Sequence, residues 1–193
     1  MNGFERRKHR KKQAILEAAL ALFKESGFQS VPVSTVAKKA NVSQVTIYNY
    51  FGNKDELIDE VMKYYINNMW LEYDALFKSD LTFPEKVKQI IFEKKETANQ
   101  MSARFFEDFM KHYAGNESYW EKLYKEKVLP QMMQLFDDGK AQGYVNRQIS
   151  NEAILVYMQL FKEALQREEL SASLLPITED LTTLFFYGIS GGK

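Results

Sequence analysis

The side chains with the most distinctive chemistry lie in one stretch, VSTVAKKANVSQVTIYNYFGNKDEL, from Val33 to Leu57. Gln44 and Asn49 carry amides that can pair bidentately with adenine, and Val45 and the Thr46 methyl can contact thymine methyls. The hydroxyls of Ser34, Ser43, Thr46, Tyr48 and Tyr50 can reach phosphate oxygens, contacts that position a protein on a duplex. Lys54 can hold a phosphate beside the exposed N–H groups of a helix first turn. These groups act together only if one rigid element presents them. Ile47 and Phe51, four apart, face a core, which leaves Gln44, Val45, Thr46, Tyr48 and Asn49 pointing mostly outward. That pattern fits a recognition helix in a major groove.

The flanking residues supply the elements that would hold this helix. Val33, Val36, Ala37 and Ala40 recur at helical spacing and make one face of a short helix apolar. Asn41 tolerates the left-handed conformation that a tight reversal needs, and Val42 can plug the corner. Ser43 is expected to cap a helix from Gln44 to about Tyr50, and Gly52 to end it. Asn53 with Glu56 resembles a capping box for the next helix. Upstream, Ile15, Ala19, Leu22 and Phe23 form the inner stripe of a first helix that Gly27 closes and Phe28 anchors. Three helices make a DNA-binding unit over residues 1–53. No linker follows, because Leu57, Ile58, Val61, Tyr65, Met69 and Leu76 continue a helix to about Phe77. A rigid helix is therefore expected to lead into a second domain over residues 54–193.

The formal net charge of zero hides an asymmetry. Residues 1–54 hold ten Lys or Arg against three Glu, and the remainder carries the compensating acidic excess. A basic end on an acidic body is the footprint of a module that meets a polyanion at one end; a solvated tail is the plainer reading of a charge run taken alone. The first dozen residues are expected to form a mobile basic arm that could lie along a minor groove or backbone, with disorder as the alternative. The 193-residue chain has no cysteine, which excludes disulfides and thiolate chemistry and is compatible with a reducing cytoplasm. RRKHRKKQAILEAALALF imitates a signal peptide, but Glu17 interrupts its apolar run, Lys24 closes it and no small-residue cleavage site follows. No run approaches the ~18 apolar residues of a membrane span. A soluble protein without membrane contact is expected.

Beyond Phe77 the pattern stays helical. Ser79 to Phe83 reads as a loop, and Pro84 opens a helix to about Gln100 with Val87, Ile90 and Ile91 inward. Arg104 to Tyr113 is a short aromatic helix, Gly115 and Asn116 break the chain, and a helix from about Glu117 to Lys140 is expected to bend at Pro130 before Gly143 closes it. Ser150 or Asn151 caps a helix to about Glu169, and Pro176 with Thr178 opens the last, ending near Gly188. No strand alternation or repeat appears. The fold class is all-α, with about nine helices.

Enzyme chemistry is poorly supplied. The two histidines are His9 and His112; Asp108 and His112 share a helical face, but no third metal ligand is evident. No glycine-rich phosphate loop, nucleophile elbow or activated-serine context is visible. Most of the many aromatics and methionines between residues 62 and 165 must be core, and some could line a cavity for a small molecule. Ile154, Met158, Phe161 and Leu165 form one late stripe; Ile177, Leu181, Leu184, Phe185 and Gly188 form another. Packing within the monomer is the plainer use of both.

ILEAALALFKESGF, the VA of VAKKANVS and TIYNYFGNKDEL together resemble the DNA-binding domain of the TetR (tetracycline-repressor-like) family of bacterial transcriptional regulators, over roughly residues 10–58. Two positions depart from the family: Pro32 stands where a capping Thr or Ser is common, which bears on one phosphate contact, and Asn41 where Gly is usual. The resemblance implies a helical second domain with an effector pocket, for which Trp70, Phe92, Phe105, Phe109, Tyr113, Trp120, Tyr124, Met132, Tyr157 and Phe161 are candidates. It also implies a twofold homodimer through the last two helices, assigned to Ile154, Met158, Leu165, Leu181, Leu184, Phe185 and Gly188. The expected protein is a cytoplasmic repressor released from a palindromic DNA operator by a small hydrophobic effector, with no enzyme activity and no cofactor. Its rivals are an effector-independent architectural or replication-linked DNA binder and a helical enzyme or carrier.

Overall fold

The computed structural model describes residues 2–112, 118–166 and 175–190. Within them the chain is helical: α1 (Gly3–Ser26), α2 (Val33–Lys39), α3 (Gln44–Phe51), α4 (Lys54–Lys78), α5 (Phe83–Asn99), α6 (Ala103–His112), α7 (Tyr119–Leu123), a π-helical stretch (Tyr124–Val128), α8 (Leu129–Ala141), α9 (Asn151–Gln166), a 3-10 turn (Leu175–Ile177) and α10 (Thr178–Ser190). Counting α7, the π stretch and α8 as one helix gives nine among the described residues, and no strand occurs there. The expected break at Gly115 and Asn116, and the ends expected at Glu117 and Glu169, lie outside them. None of the described helices is long and apolar enough to cross a membrane.

Two compact units divide the chain, Met1–Asn68 and Met69–Lys193. In the first, Ile15, Ala19 and Phe23 of α1, Val36 of α2, Ile47 of α3 and Leu57, Val61 and Ile66 of α4 are buried in one core. The first part of α4 thus belongs by packing to the N-terminal unit. Phe28 turns back onto Phe23, ring centroids 5.9 Å apart, once Gly27 has ended α1 at φ 77° with its N–H on the Phe23 carbonyl. The reversal between α2 and α3 falls on Asn41, at φ 54°, which is the tight turn its side-chain type allows. The residues expected as a mobile arm are helical from Gly3 onward, with the Asn2 side chain accepting from the Glu5 N–H at 2.9 Å. Arg and Lys are good helix formers, and an Asn cap satisfies an otherwise orphaned first-turn donor.

The second unit is built on Phe83, Val87 and Ile90 of α5, Leu135 and Phe136 of α8, Ile154 and Met158 of α9, and Phe185 and Phe186 of α10. The Glu85 carboxylate accepts from both the N–H and the hydroxyl of Thr82 and so caps α5. Buried Lys86 donates to the Phe77 carbonyl at 2.7 Å, which satisfies the C-terminal turn of α4. Gly139 is required by a close approach, since a Cβ there would lie 2.7 Å from both Phe83 and Val145. Just before Pro130, where a bend is expected, the helix widens into the π stretch, in which the Leu129 N–H bonds to the Tyr124 carbonyl. Pro130 offers no N–H to the carbonyl four residues back, and a turn widened upstream accommodates that gap within a continuous helix.

Candidate nucleic-acid interface

The recognition surface is assembled by α2, the turn at Asn41 and α3. Ser43 accepts from the Thr46 N–H at 3.1 Å and shares a 2.9 Å hydrogen bond with the Thr46 hydroxyl, so the N-terminus of α3 is capped as its sequence requires. Ile47 and Phe51 are buried, whereas Gln44, Val45, Tyr48 and Asn49 are exposed and Thr46 is half-buried. Val45, at 67% exposure, is a large apolar side chain held in water on an otherwise polar helix face. A solvent-facing valine flanked by two amides and a tyrosine is a surface suited to base edges and thymine methyls. Gly52, at φ 79°, ends the helix with its N–H on the Tyr48 carbonyl at 2.8 Å.

Three of the expected contact residues already have structural work. The Tyr50 hydroxyl donates to the Lys8 carbonyl at 3.2 Å and ties the end of α3 to α1. Tyr50 lies one position past the outward face, is half-buried and reaches toward α1. Lys54 donates to the Gln29 carbonyl at 2.8 Å, which pins the start of α4 to the loop after α1; its other ammonium protons remain available for a phosphate. Ser43 accepts the cap hydrogen bond and shares another with Thr46, and whichever hydroxyl accepts the shared bond keeps its proton for a phosphate. Ser34 is exposed on α2, together with Thr35, Lys38 and Lys39. Those last three are absent from the sequence-derived contacts, although the spacing that turns Val33, Val36 and Ala37 inward also turns them out. Pro32 caps α2 through its backbone only, with no side-chain hydrogen bond.

A polar seam joins α1 to α4 behind this surface. Lys12 donates to Glu60 at 2.8 Å and lies 5.7 Å from the Phe51 ring centroid. Gln13 donates to the Tyr64 hydroxyl at 3.1 Å. The hydrogen bond from Lys12 holds the Glu60 carboxyl below its ordinary range, against the opposing effect of burial, with Lys63 adding to the lowering.

The second unit places the other expected residues unevenly. Phe105 is fully buried, and Phe109 packs on it at 6.3 Å; Trp120 and Tyr124 lie 6.0 Å apart. Trp70, Met132 and Phe161 pack against the main core cluster. Phe92, 55% exposed on α5, and Tyr157, at 36%, are the most exposed of the described candidates, although one face of the Tyr157 ring stacks on Phe185 at 5.3 Å. Tyr113 lies outside the described residues, as does the Leu165 side chain. Ile154, Met158 and Phe185, expected at a dimer surface, are 1%, 9% and 8% exposed and belong to the unit's own core. Leu181 is half-buried, and Leu184 and Gly188 are exposed. The outward stripe is Leu155, Val156 and Leu160 of α9 with Leu184 and Tyr187 of α10. Helix α9 is apolar on two sides, so four-three spacing alone fits either stripe and the choice between them falls to tertiary packing.

Comparison with known proteins agrees with this geometry. Residues 15–61, from the buried stripe of α1 into α4, match the profile of "Bacterial regulatory proteins, tetR family". This N-terminal stretch is similar to the TetR family. An uncharacterized HTH-type transcriptional regulator, YhgD of Bacillus subtilis (strain 168), is 34% identical over 100 residues, which are 51% of this chain and 52% of the relative. The HTH-type transcriptional repressor KstR2 of Rhodococcus jostii (strain RHA1) is 22% identical over 107 residues, 54% of this chain and 52% of that one. The chain therefore spans about half the length of these curated relatives. The fold likeness is longer: the transcriptional regulator FadR from Bacillus subtilis, in complex with stearoyl-CoA, superposes with a TM-score of 0.62 at 18% identity, over 92% of this chain and 98% of that chain.

Proposed function

We propose that this protein is a cytoplasmic, homodimeric, sequence-specific DNA-binding repressor that leaves a palindromic operator when a small hydrophobic effector binds its second domain. The observation that carries this reading is α3. Its two buried residues fix a face on which Gln44, Val45, Tyr48 and Asn49 stand in solvent. Residues 1–53 act as the DNA-binding domain, with Gln44, Val45, Thr46 and Asn49 reading bases and Ser34, Ser43, Tyr48 and Lys54 holding phosphates.

Dimerisation is supported by the apolar stripe that α9 and α10 leave exposed. Leu155, Val156, Leu160, Leu184 and Tyr187 are 40–63% exposed, and Gly188 beside them would let a partner helix come close. A twofold dimer then reads half-sites about one helical turn, or a multiple, apart. Residues 54–193 serve as the effector and dimerisation domain, with Phe105, Phe109, Trp120, Tyr124, Met132 and Phe161 as the pocket candidates. FadR in complex with stearoyl-CoA, a neighbour in fold, supports a hydrophobic effector as the first class to try.

An effector shifts DNA binding only by its preference for one state, typically about 1–3 kcal/mol of coupling, and the operator must weaken effector binding by the same factor. Acyl-CoA thioesters and other lipophilic compounds are to be screened by thermal shift, and each hit titrated against operator binding. A hit that lowers operator affinity supports the reading. A compound that stabilises the protein strongly yet leaves DNA affinity unchanged removes the inducer and favours an effector-independent DNA binder.

A further inference from the structure

We propose that the first three turns of α1 form a second DNA-contacting element, a basic helix that lies along the phosphate backbone flanking the bases read by α3. The inference rests on the DNA-binding reading above and adds a contact surface outside the helix-turn-helix.

The helix begins at Gly3, twelve residues before the stretch that matches the family profile. Residues 2–11 are all exposed, so no core holds them. They and Lys12 contain Arg6, Arg7, Lys8, Arg10, Lys11 and Lys12 against one acid, Glu5. Among the described residues only Lys12 of these six meets a carboxylate, that of Glu60. Arg6 and Arg10, Arg7 and Lys11, and Lys8 and Lys12 are like-charged pairs at four-residue spacing, each of which weakens an isolated helix. A helix that gains nothing from burial and repels itself needs an anion to offset its charge.

Its position identifies which anion. The inward stripe of Phe23, Ala19 and Ile15 continues toward the N-terminus through Lys12, Lys11, Lys8 and Phe4, so the face that packs on the core becomes a basic face beyond it. That change occurs beside the recognition helix: Tyr50 of α3 bonds to the Lys8 carbonyl, and Lys12 lies over the Phe51 ring. Ten residues of helix extend about 15 Å from there, and a duplex presents one phosphate per ~1.7 Å of its axis. Phe4, 64% exposed, is the sole large apolar side chain among residues 2–12, too little for a helix to enter a lipid surface. Backbone phosphates of the duplex already engaged by α3 are the anions within reach.

The test uses the full chain and the variant Arg7→Gln/Lys8→Gln/Arg10→Gln/Lys11→Gln, which keeps helix propensity, leaves the Lys8 carbonyl to Tyr50 and leaves Lys12 on Glu60. Both bind a 40-base-pair duplex of arbitrary sequence across a potassium chloride series. Each phosphate contact contributes about 0.9 to the log–log salt slope, so the variant is expected to lose about two to four units. It should bind at least tenfold more weakly at low salt, and duplex should slow amide exchange over residues 3–12 of the parent. A slope change below one unit (~1) in a variant with unchanged melting overturns the proposal. So does unchanged exchange over residues 3–12, or a loss seen only on phosphatidylserine vesicles. Selection from a random-duplex library separates this from the reading it rests on. Parent and variant should select the same motif, because backbone contacts carry no sequence information. If the parent selects no motif, sequence-specific reading fails while the salt slope still decides the role of α1.

Discussion

The two units hide their apolar surface with different completeness. In the N-terminal unit each helix carries one apolar stripe, and Ile15, Ala19, Phe23, Ile47 and Val61 go fully or nearly fully inward while the opposite faces are polar or charged. In the C-terminal unit α9 buries Ile154 and Met158 and still exposes Leu155, Val156 and Leu160 on its other side. A helix with one apolar stripe has one apolar partner. A helix with two keeps a second stripe that the described residues leave uncovered. The N-terminal unit thereby leaves a mostly polar and basic surface exposed, and the C-terminal unit an apolar one.

The comparison breaks most visibly at Phe185 and Leu184, neighbours on α10 that face opposite ways. Phe185 packs against Phe136, Tyr157, Phe161 and Phe186 with ring centroids 5.1–6.0 Å apart. Phe185→Ala should destabilise the second unit by about 3–5 kcal/mol, read as a lowered denaturation midpoint. Phe136→Ala, buried in the same cluster, should cost at least as much. Leu184→Glu should leave the melting of each subunit intact and yield monomers by sedimentation equilibrium. A stable dimer of Leu184→Glu would place association elsewhere, and a folded monomer of Phe185→Ala would return that residue to the interface.

How legible these features are in the sequence follows from the same contrast. Around α3 every local signal agrees: the Ser43 cap, the left-handed Asn41, the Gly52 stop and the inward pair Ile47 and Phe51 all stand where their residue types put them. The start of α1 is not legible in that way, because a basic run without apolar residues shows no periodicity, and its helix shows only through propensity and the Asn2 cap. On α9 periodicity is present twice over, so the stripe through Ile154 and Met158 and the one beside it cannot be told apart without the packing of α5, α8 and α10. Phe92 illustrates the remaining gap: an aromatic on an amphipathic helix is usually buried, and this one is not.

Smaller effects sharpen the N-terminal side. Asn49→Ala should relax preference at one base pair in each half-site by about 1–3 kcal/mol, whereas Lys54→Ala should weaken all duplexes alike and lower the salt slope by about one unit. Competition titrations with single-base-pair operator variants distinguish the two. The smallest expected change is at Glu60. Its carboxyl is held below the ordinary value in the folded state, so the Lys12 pair contributes stability above the unfolded value and loses it as pH falls through the folded one. Both side chains are more than a third exposed or close to it, at 41% and 35%, and the contribution is at most about 1 kcal/mol. Glu60→Gln should therefore lower stability slightly at neutral pH and not at all in strong acid. Equal losses across a urea-denaturation series at both pH values would assign the effect to packing.

The central claim is that the outward face of α3 reads base edges. Its most direct measurement is selection from a random duplex library by the parent protein and by Gln44→Ala, under identical salt. The account predicts a palindromic motif for the parent and, for the variant, the same motif with relaxed preference at one symmetric pair of positions. An unchanged motif for Gln44→Ala, or one altered evenly at every position, would contradict it.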